Sequence, residues 1–197
     1  MHNHPSQCQT TPARAKWTYK DNITLANDPV HAKNAETPQQ GLEYGLWLSL
    51  NDRQEQLTTP MLAFMADTYE ALDEHIPGAH QQLRAKRQPV SGGIAITSWA
   101  PTMVMTLEFK FPVPKPSSTD YSSRTVAVFS SGKFMNDPQG RHDVYVEVWT
   151  APSDIGEGVV KDDWKETQRC LAVSTQMALL LPMDVNKKLG SRVGPKL

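Results

Sequence analysis

The segment Thr58-Thr59-Pro60-Met61-Leu62-Ala63-Phe64-Met65-Ala66-Asp67-Thr68-Tyr69 carries the strongest helix signal in the chain. Thr58 or Thr59 offers a hydroxyl for the N-cap, and Pro60 fits the first helical position, where its missing N–H costs nothing. Leu62, Met65, Tyr69, Leu72 and Ile76 then recur at spacings of three and four, which predicts an apolar stripe about four turns long. Pro77-Gly78 stops it. Residues 79–93 are polar and basic, include Arg84, Lys86 and Arg87, and end in Ser91-Gly92-Gly93, a loop composition.

Strand patterns surround this helix. Upstream, Leu42, Tyr44, Leu46, Leu48 and Leu50 alternate with other residues, a period of two. Downstream, Thr102 to Phe111 places Met103, Met105, Leu107, Phe109 and Phe111 on one face and Thr102, Val104 and Thr106 on the other. Arg124 to Met135 reads as a strand with a bend or bulge at Ser130-Ser131-Gly132. Asn136 to Gly140 has hairpin composition, His142 to Thr150 is a strand, 151–167 is a polar insert, and Gln168 to Leu181 is the last strand. One amphipathic helix followed by hairpin-linked strands is most economically buried by an α+β arrangement, a five-stranded antiparallel sheet wrapped around one long helix. That is the hotdog fold. The expected layout is an extended, weakly ordered leader over 1–41, a hotdog domain over 42–182 and a flexible basic tail over 183–197. The open sheet edges suggest pairing, as a homodimer or with another hotdog chain.

Composition narrows the function classes. The 20 Lys and Arg against 21 Asp and Glu leave a net charge of −1, which offers no electrostatic basis for nucleic-acid binding. No apolar run approaches the roughly 20 residues of a membrane span. Cys8 and Cys170 make neither a disulfide framework nor a metal spacing. No metal cluster, Ser-His-Asp order or phosphate loop is present, so neither metal nor cofactor is expected. The terminal Pro195-Lys196-Leu197 is similar to a peroxisomal address, the alternative being a cytoplasmic location.

Two side chains are candidates for chemistry. Asp67 interrupts a mostly apolar helix, a position of poor propensity, and a carboxylate partly withdrawn from water there can act as a general base. Gln176 sits between Ser174 and Ala178 on the last strand, where a neutral amide can hold a water or a carbonyl.

Leu46-Trp47-Leu48, Leu62 to Asp67, Met103 to Phe111 and Leu171-Ala172-Val173-Ser174-Thr175-Gln176, in that order and spacing, resemble the second half of the double-hotdog acyl-CoA thioesterases, namely the thioesterase II family and its fungal thioesterase-like relatives. The resemblance covers about 42–182. It implies an acyl-thioester hydrolase in which Asp67 takes a proton from water while Gln176 and a hydroxyl orient that water. A gap-free placement puts Ala100 at the hydroxyl position; Thr102 and Ser98, with Thr97, are the nearby substitutes. The chain has length for one hotdog, not two, so a homodimer would replace the fused pair. Phe64, Met65, Met103 and Met105 would line an acyl slot, ordinary core packing being the competing role, and Arg84 and Arg87 would meet coenzyme A phosphates. The helix start near Thr59–Ala63 is one place to seek an oxyanion site. Competing functions in the same cleft are a lyase, cyclase or dehydratase, or a non-catalytic acyl-binding partner. Asn27-Asp28-Pro29-Val30-His31 is similar to a hydratase element but lacks its first Asp.

Overall fold

A computed structural model describes residues 1, 3–11, 19–30, 42–68, 98–134, 141–179 and 181–182. In chain order they form a 3-10 turn at Pro5–Gln7, β1 (Thr10–Thr11), β2 (Ile23–Asn27), β3 (Leu42–Leu50), α1 (Met61–Asp67), β4 (Ser98–Trp99), β5 (Thr102–Phe109), β6 (Thr125–Phe134), β7 (His142–Thr150), α2 (Trp164–Thr167), β8 (Cys170–Ala178) and β9 (Leu181–Pro182). The main sheet has seven strands in the order β1-β2-β3-β6-β7-β8-β5, and β4 and β9 make a separate two-stranded ribbon. Every pairing is antiparallel. Among the described residues no helix is long and apolar enough to cross a membrane.

The inner face follows the strand periods. Tyr44, Leu46, Leu48 and Leu50 from β3 join Val126 and Val128 from β6 and Val144, Val146 and Val148 from β7 in one buried cluster, closed from above by Leu62, Met65 and Ala66 of α1. β-branched side chains dominate the central strands, where they pack well on a pleated surface.

Four expectations are corrected. The described part of the leader is not a loose extension: Ile23–Asn27 pairs along its whole length with Leu46–Leu50, giving a wider sheet than the five strands expected. Its N-terminal turn covers the outer face. Asn3 donates through its backbone N–H (3.0 Å) and its Nδ2 (2.8 Å) to the buried Asp28, and the Trp47 indole N–H donates to the Asn3 carbonyl at 3.2 Å. Cys8, Ala26, Trp47, Ala127, Ala151 and Trp164 form a second core there, so this part of the sheet is buried on both faces.

The helix is shorter than its stripe. Thr68 leaves the helical region at φ −92°, ψ 67°, and its hydroxyl donates to the Phe64 carbonyl at 2.8 Å, so a local side-chain bond competes with the next helical turn. Tyr69, Leu72 and Ile76 lie outside the described residues, as do Arg84, Lys86, Arg87, the 136–140 turn and Pro195 to Leu197. At the other end, Pro60 occupies the N-cap with no side-chain cap bond. The Thr58, Thr59 and Pro60 carbonyls instead accept from Met61, Leu62 and Ala63 N–H at 3.0, 3.1 and 3.3 Å.

The third correction is at Ser130-Ser131-Gly132, which stays in register with both neighbours rather than bending. The irregularities lie elsewhere, between Thr102 and Val104 on β5, and at Leu171 of β8, the extra residue opposite Val148 and Trp149 of β7. The fourth follows from the first of these. Met103 is the extra residue of the β5 bulge and is exposed, whereas Met105 and Leu107 pack on the core. An added residue reverses the alternation across it, so Thr102 joins Met105 and Leu107 on the inward face.

Candidate functional site

Two side-chain contacts tie α1, β5 and β8 together where α1 ends. Thr102 Oγ1 donates to Asp67 Oδ1 at 2.7 Å. Gln176 Nε2 donates to the Ala66 carbonyl at 2.9 Å. Ala66 is the residue before Asp67, so the Gln176 amide binds the peptide that precedes the acid. The ladder explains how. Thr102 pairs with Ala178, and Met105 pairs with Gln176. Residues 176 and 178 share a face of β8, so the β5 bulge is what turns both Thr102 and Met105 toward the helix.

Gln176 is buried, on a strand interior to the sheet. Its donor satisfies one of the last helical carbonyls, which have no partner within the helix. Its acceptor Oε1 has no hydrogen-bond partner among the described residues. Asp67 is exposed, so the desolvated carboxylate expected mid-helix is instead a solvent-facing one at the helix terminus. A negative charge at the carbonyl end of a helix is unfavourable, and its bond to a strand 35 positions away does not cap the helix. The placement is thus not explained by helix stability.

Thr102 supplies the hydroxyl that meets Asp67. Its proton goes to the carboxylate rather than to a water, which makes it a support for the acid. Ser98 lies in the β4–β9 ribbon, paired with Pro182. Met65 is part of the buried core. Phe64 is half-buried and meets Tyr19 edge-on at 4.9 Å between ring centres. Met105 is half-buried opposite Gln176, and Met103 is exposed at the bulge. The helix start is not an oxyanion site, because the Met61, Leu62 and Ala63 N–H groups are engaged and sit about 6–9 Å along the axis from Asp67. Asp28 of the hydratase-like element faces the outer side and is engaged with Asn3 and the Val30 N–H (3.1 Å), remote from Asp67 across the sheet. His31 lies outside the described residues.

The sequence reading passed over Ser130 and Ser174. Both are buried on the inner face, and neither hydroxyl has a partner among the described residues. Their signal was a polar residue at an inward strand position, visible only once the face of β8 is known. Among the described residues no group of three or more His, Cys, Asp or Glu is placed to hold a metal. A cleft of about 400 Å³ on the outer face, lined by Glu43, Phe129, Glu147, Trp149 and Lys165 among others, contains none of the Asp67 site.

No family model matches the chain, and no curated protein is significantly similar to it. Solved structures do match. A conserved protein of unknown function with a hotdog fold from Alicyclobacillus acidocaldarius is 14% identical with a TM-score of 0.55, over 90% of this chain and 52% of that one. A provisionally assigned thioesterase II from Thermobifida fusca is 17% identical with a TM-score of 0.52, over the same shares of the two chains. The chain therefore has the hotdog fold, and it spans about half the length of these two structures.

Proposed function

We propose that the chain is an acyl-thioester hydrolase of the acyl-CoA type, with Asp67 as general base. The observation that carries this reading is the pair of bonds at the end of α1, Thr102 to the Asp67 carboxylate and Gln176 to the neighbouring Ala66 carbonyl. A nucleophilic water needs two acceptors for its protons and a free lone pair for attack. The outer carboxylate oxygen of Asp67 and the unpartnered Oε1 of Gln176 are two such acceptors. Thr102 holds Oδ1, which leaves Oδ2 toward the water. The water oxygen bonds to the thioester carbonyl carbon as one of its protons passes to Asp67; the C–S bond then breaks and Asp67 returns that proton to the leaving sulfur, giving a carboxylic acid and a thiol. The thioesterase II assignment of the Thermobifida structure agrees with this class.

The same reading includes pairing of two copies along β5. This strand ends the sheet, its outer edge is unpaired among the described residues, and Met103, Val104 and Phe109 on it are exposed. A bare apolar edge is a template for another strand, and a second copy there would cover the exposed Asp67. Arg84 and Arg87 are the proposed contacts for coenzyme A phosphates. The test is release of free thiol from a panel of acyl-CoA thioesters by the purified chain. Steady release above the spontaneous rate is expected. No release from any member, with the protein folded and dimeric by light scattering, would overturn the hydrolase.

A further inference from the structure

One row of the inner sheet face is polar in a way that packing does not explain. Tyr44, Ser130, Val146, Ser174 and Leu107 face one another across β3, β6, β7, β8 and β5. Ser130 is 1% exposed and Ser174 0% exposed, and neither Oγ has a hydrogen-bond partner. The adjoining row holds Val144, Gln176 and Met105, and Gln176 Oε1 is a third buried polar atom without a partner. Three such atoms in two neighbouring rows are a concentrated exception to the rule that buried polar groups are paired. Replacing either serine by alanine would relieve that cost in the isolated fold.

We infer that the inner face takes an acyl chain bearing oxygen, a hydroxyl or ketone along its length, with Ser130 and Ser174 as the residues that select it. The inference rests on the thioester reading for where the chain begins. With the thioester carbonyl beside Gln176 and Asp67, the next inward row lies about 7 Å along the strands, and Ser130 and Ser174 are about 10 Å apart, two strands across. An oxygen a few carbons from the thioester then falls beside Ser174, and one farther along beside Ser130. Each serine can donate to a ketone or exchange bonds with a hydroxyl. An unsubstituted alkyl chain would leave both hydroxyls buried and unpaired, so a site built to bond a substrate oxygen discriminates against the analogue lacking it.

The test uses thioether analogues of acyl-CoA, which cannot be hydrolysed, in pairs of equal chain length with and without a hydroxyl or ketone. Affinity is measured by calorimetry on the full chain and on the Ser130→Ala/Ser174→Ala double variant. The oxygenated analogue is expected to bind wild type at least about tenfold more tightly, with the preference lost in the double variant. Equal or tighter binding of the plain chain, binding of neither, or a preference that survives the double substitution would overturn the inference. If the double variant does not fold, the wild-type preference alone decides. Thiol release is assayed separately: a binding preference without turnover removes the hydrolase and leaves this selection intact, and turnover without preference does the reverse.

Discussion

Thr102 Oγ1 reaches Asp67 Oδ1 at 2.7 Å from a strand position that plain alternation assigns to the opposite face. The extra residue at Met103 reverses the phase of β5 and makes the contact. The bond fixes one carboxylate oxygen and leaves the other for a substrate water. Asp67→Asn keeps the shape and removes the base. Thiol release is expected to fall by about a hundredfold or more. Thermal unfolding should hardly move, because the side chain is exposed. Unchanged turnover by the variant would remove Asp67 from the chemistry.

Thr102 acts through Asp67, so its variants should separate by hydroxyl and not by size. Thr102→Ser retains a donor and is expected to keep most of kcat. Thr102→Val matches the volume but lacks the donor, and kcat should drop about tenfold with KM little changed. Equal kcat for the Ser and Val variants would show that the hydroxyl is not used.

Much of the architecture was written in local periodicity. Leu42 to Leu50 and His142 to Thr150 alternate cleanly, and the structure has strands at those positions with those inward faces. Asp67 and Gln176 stood out because each is a polar side chain in an apolar setting. What escaped depends on contacts distant in sequence. β8 turns Ala172, Ser174, Gln176 and Ala178 inward and leaves Val173 and Met177 half-buried on the other side, the reverse of what hydrophobicity alone suggests. The bulge at Met103 has no glycine or proline to announce it. The leader is polar on average, yet five of its residues find a full strand partner in β3, a pairing no local window contains.

The bulge separates two methionines that simple alternation would treat alike. Met103 is exposed and Met105 packs on the core. Met103→Ser should therefore alter stability by no more than about 0.5 kcal/mol, while Met105→Ala should cost about 1–2 kcal/mol for a half-buried side chain. Denaturant unfolding of the two variants measures both. Equal losses would mean that β5 runs without its bulge.

The N-terminal segment should behave as part of the fold. Burial, with the Asp28 carboxylate nearby, pushes the Cys8 thiol up to about 11. A protonated, buried thiol reacts poorly with disulfide reagents. Cys8 is expected to be modified far more slowly than the half-buried Cys170 in the native protein. Asp28→Ala removes the acceptor for both Asn3 donors and should loosen the segment. Cys8 modification should then accelerate at least about tenfold with the sheet still folded. Rapid labelling of Cys8 in the wild-type protein would contradict this docking.

Asp154 ties the 151–167 insert to the sheet and supplies a pH-dependent share of stability. Burial alone would raise its carboxyl. Hydrogen bonds from the Ser122 and Thr125 hydroxyls and from Arg124, together with the Arg124 charge, outweigh that and hold it below the ordinary aspartate value. Arg124 in turn donates to the Leu50 carbonyl at 3.0 Å, so the cluster fastens β3, β6 and the insert at one point. A carboxyl depressed in the folded state binds fewer protons there than in the unfolded chain. Its contribution is complete above the unfolded value of about 4 and is lost as pH falls through the lower folded value. Asp154→Asn keeps the shape but leaves Arg124 without its counter-charge. It is expected to cost about 3 kcal/mol near neutral pH, a Tm fall of roughly 6–12 °C. Its stability should also decline less steeply than wild type as pH drops from about 5 to 3. Parallel pH curves for the two proteins would show that Asp154 carries no linked proton.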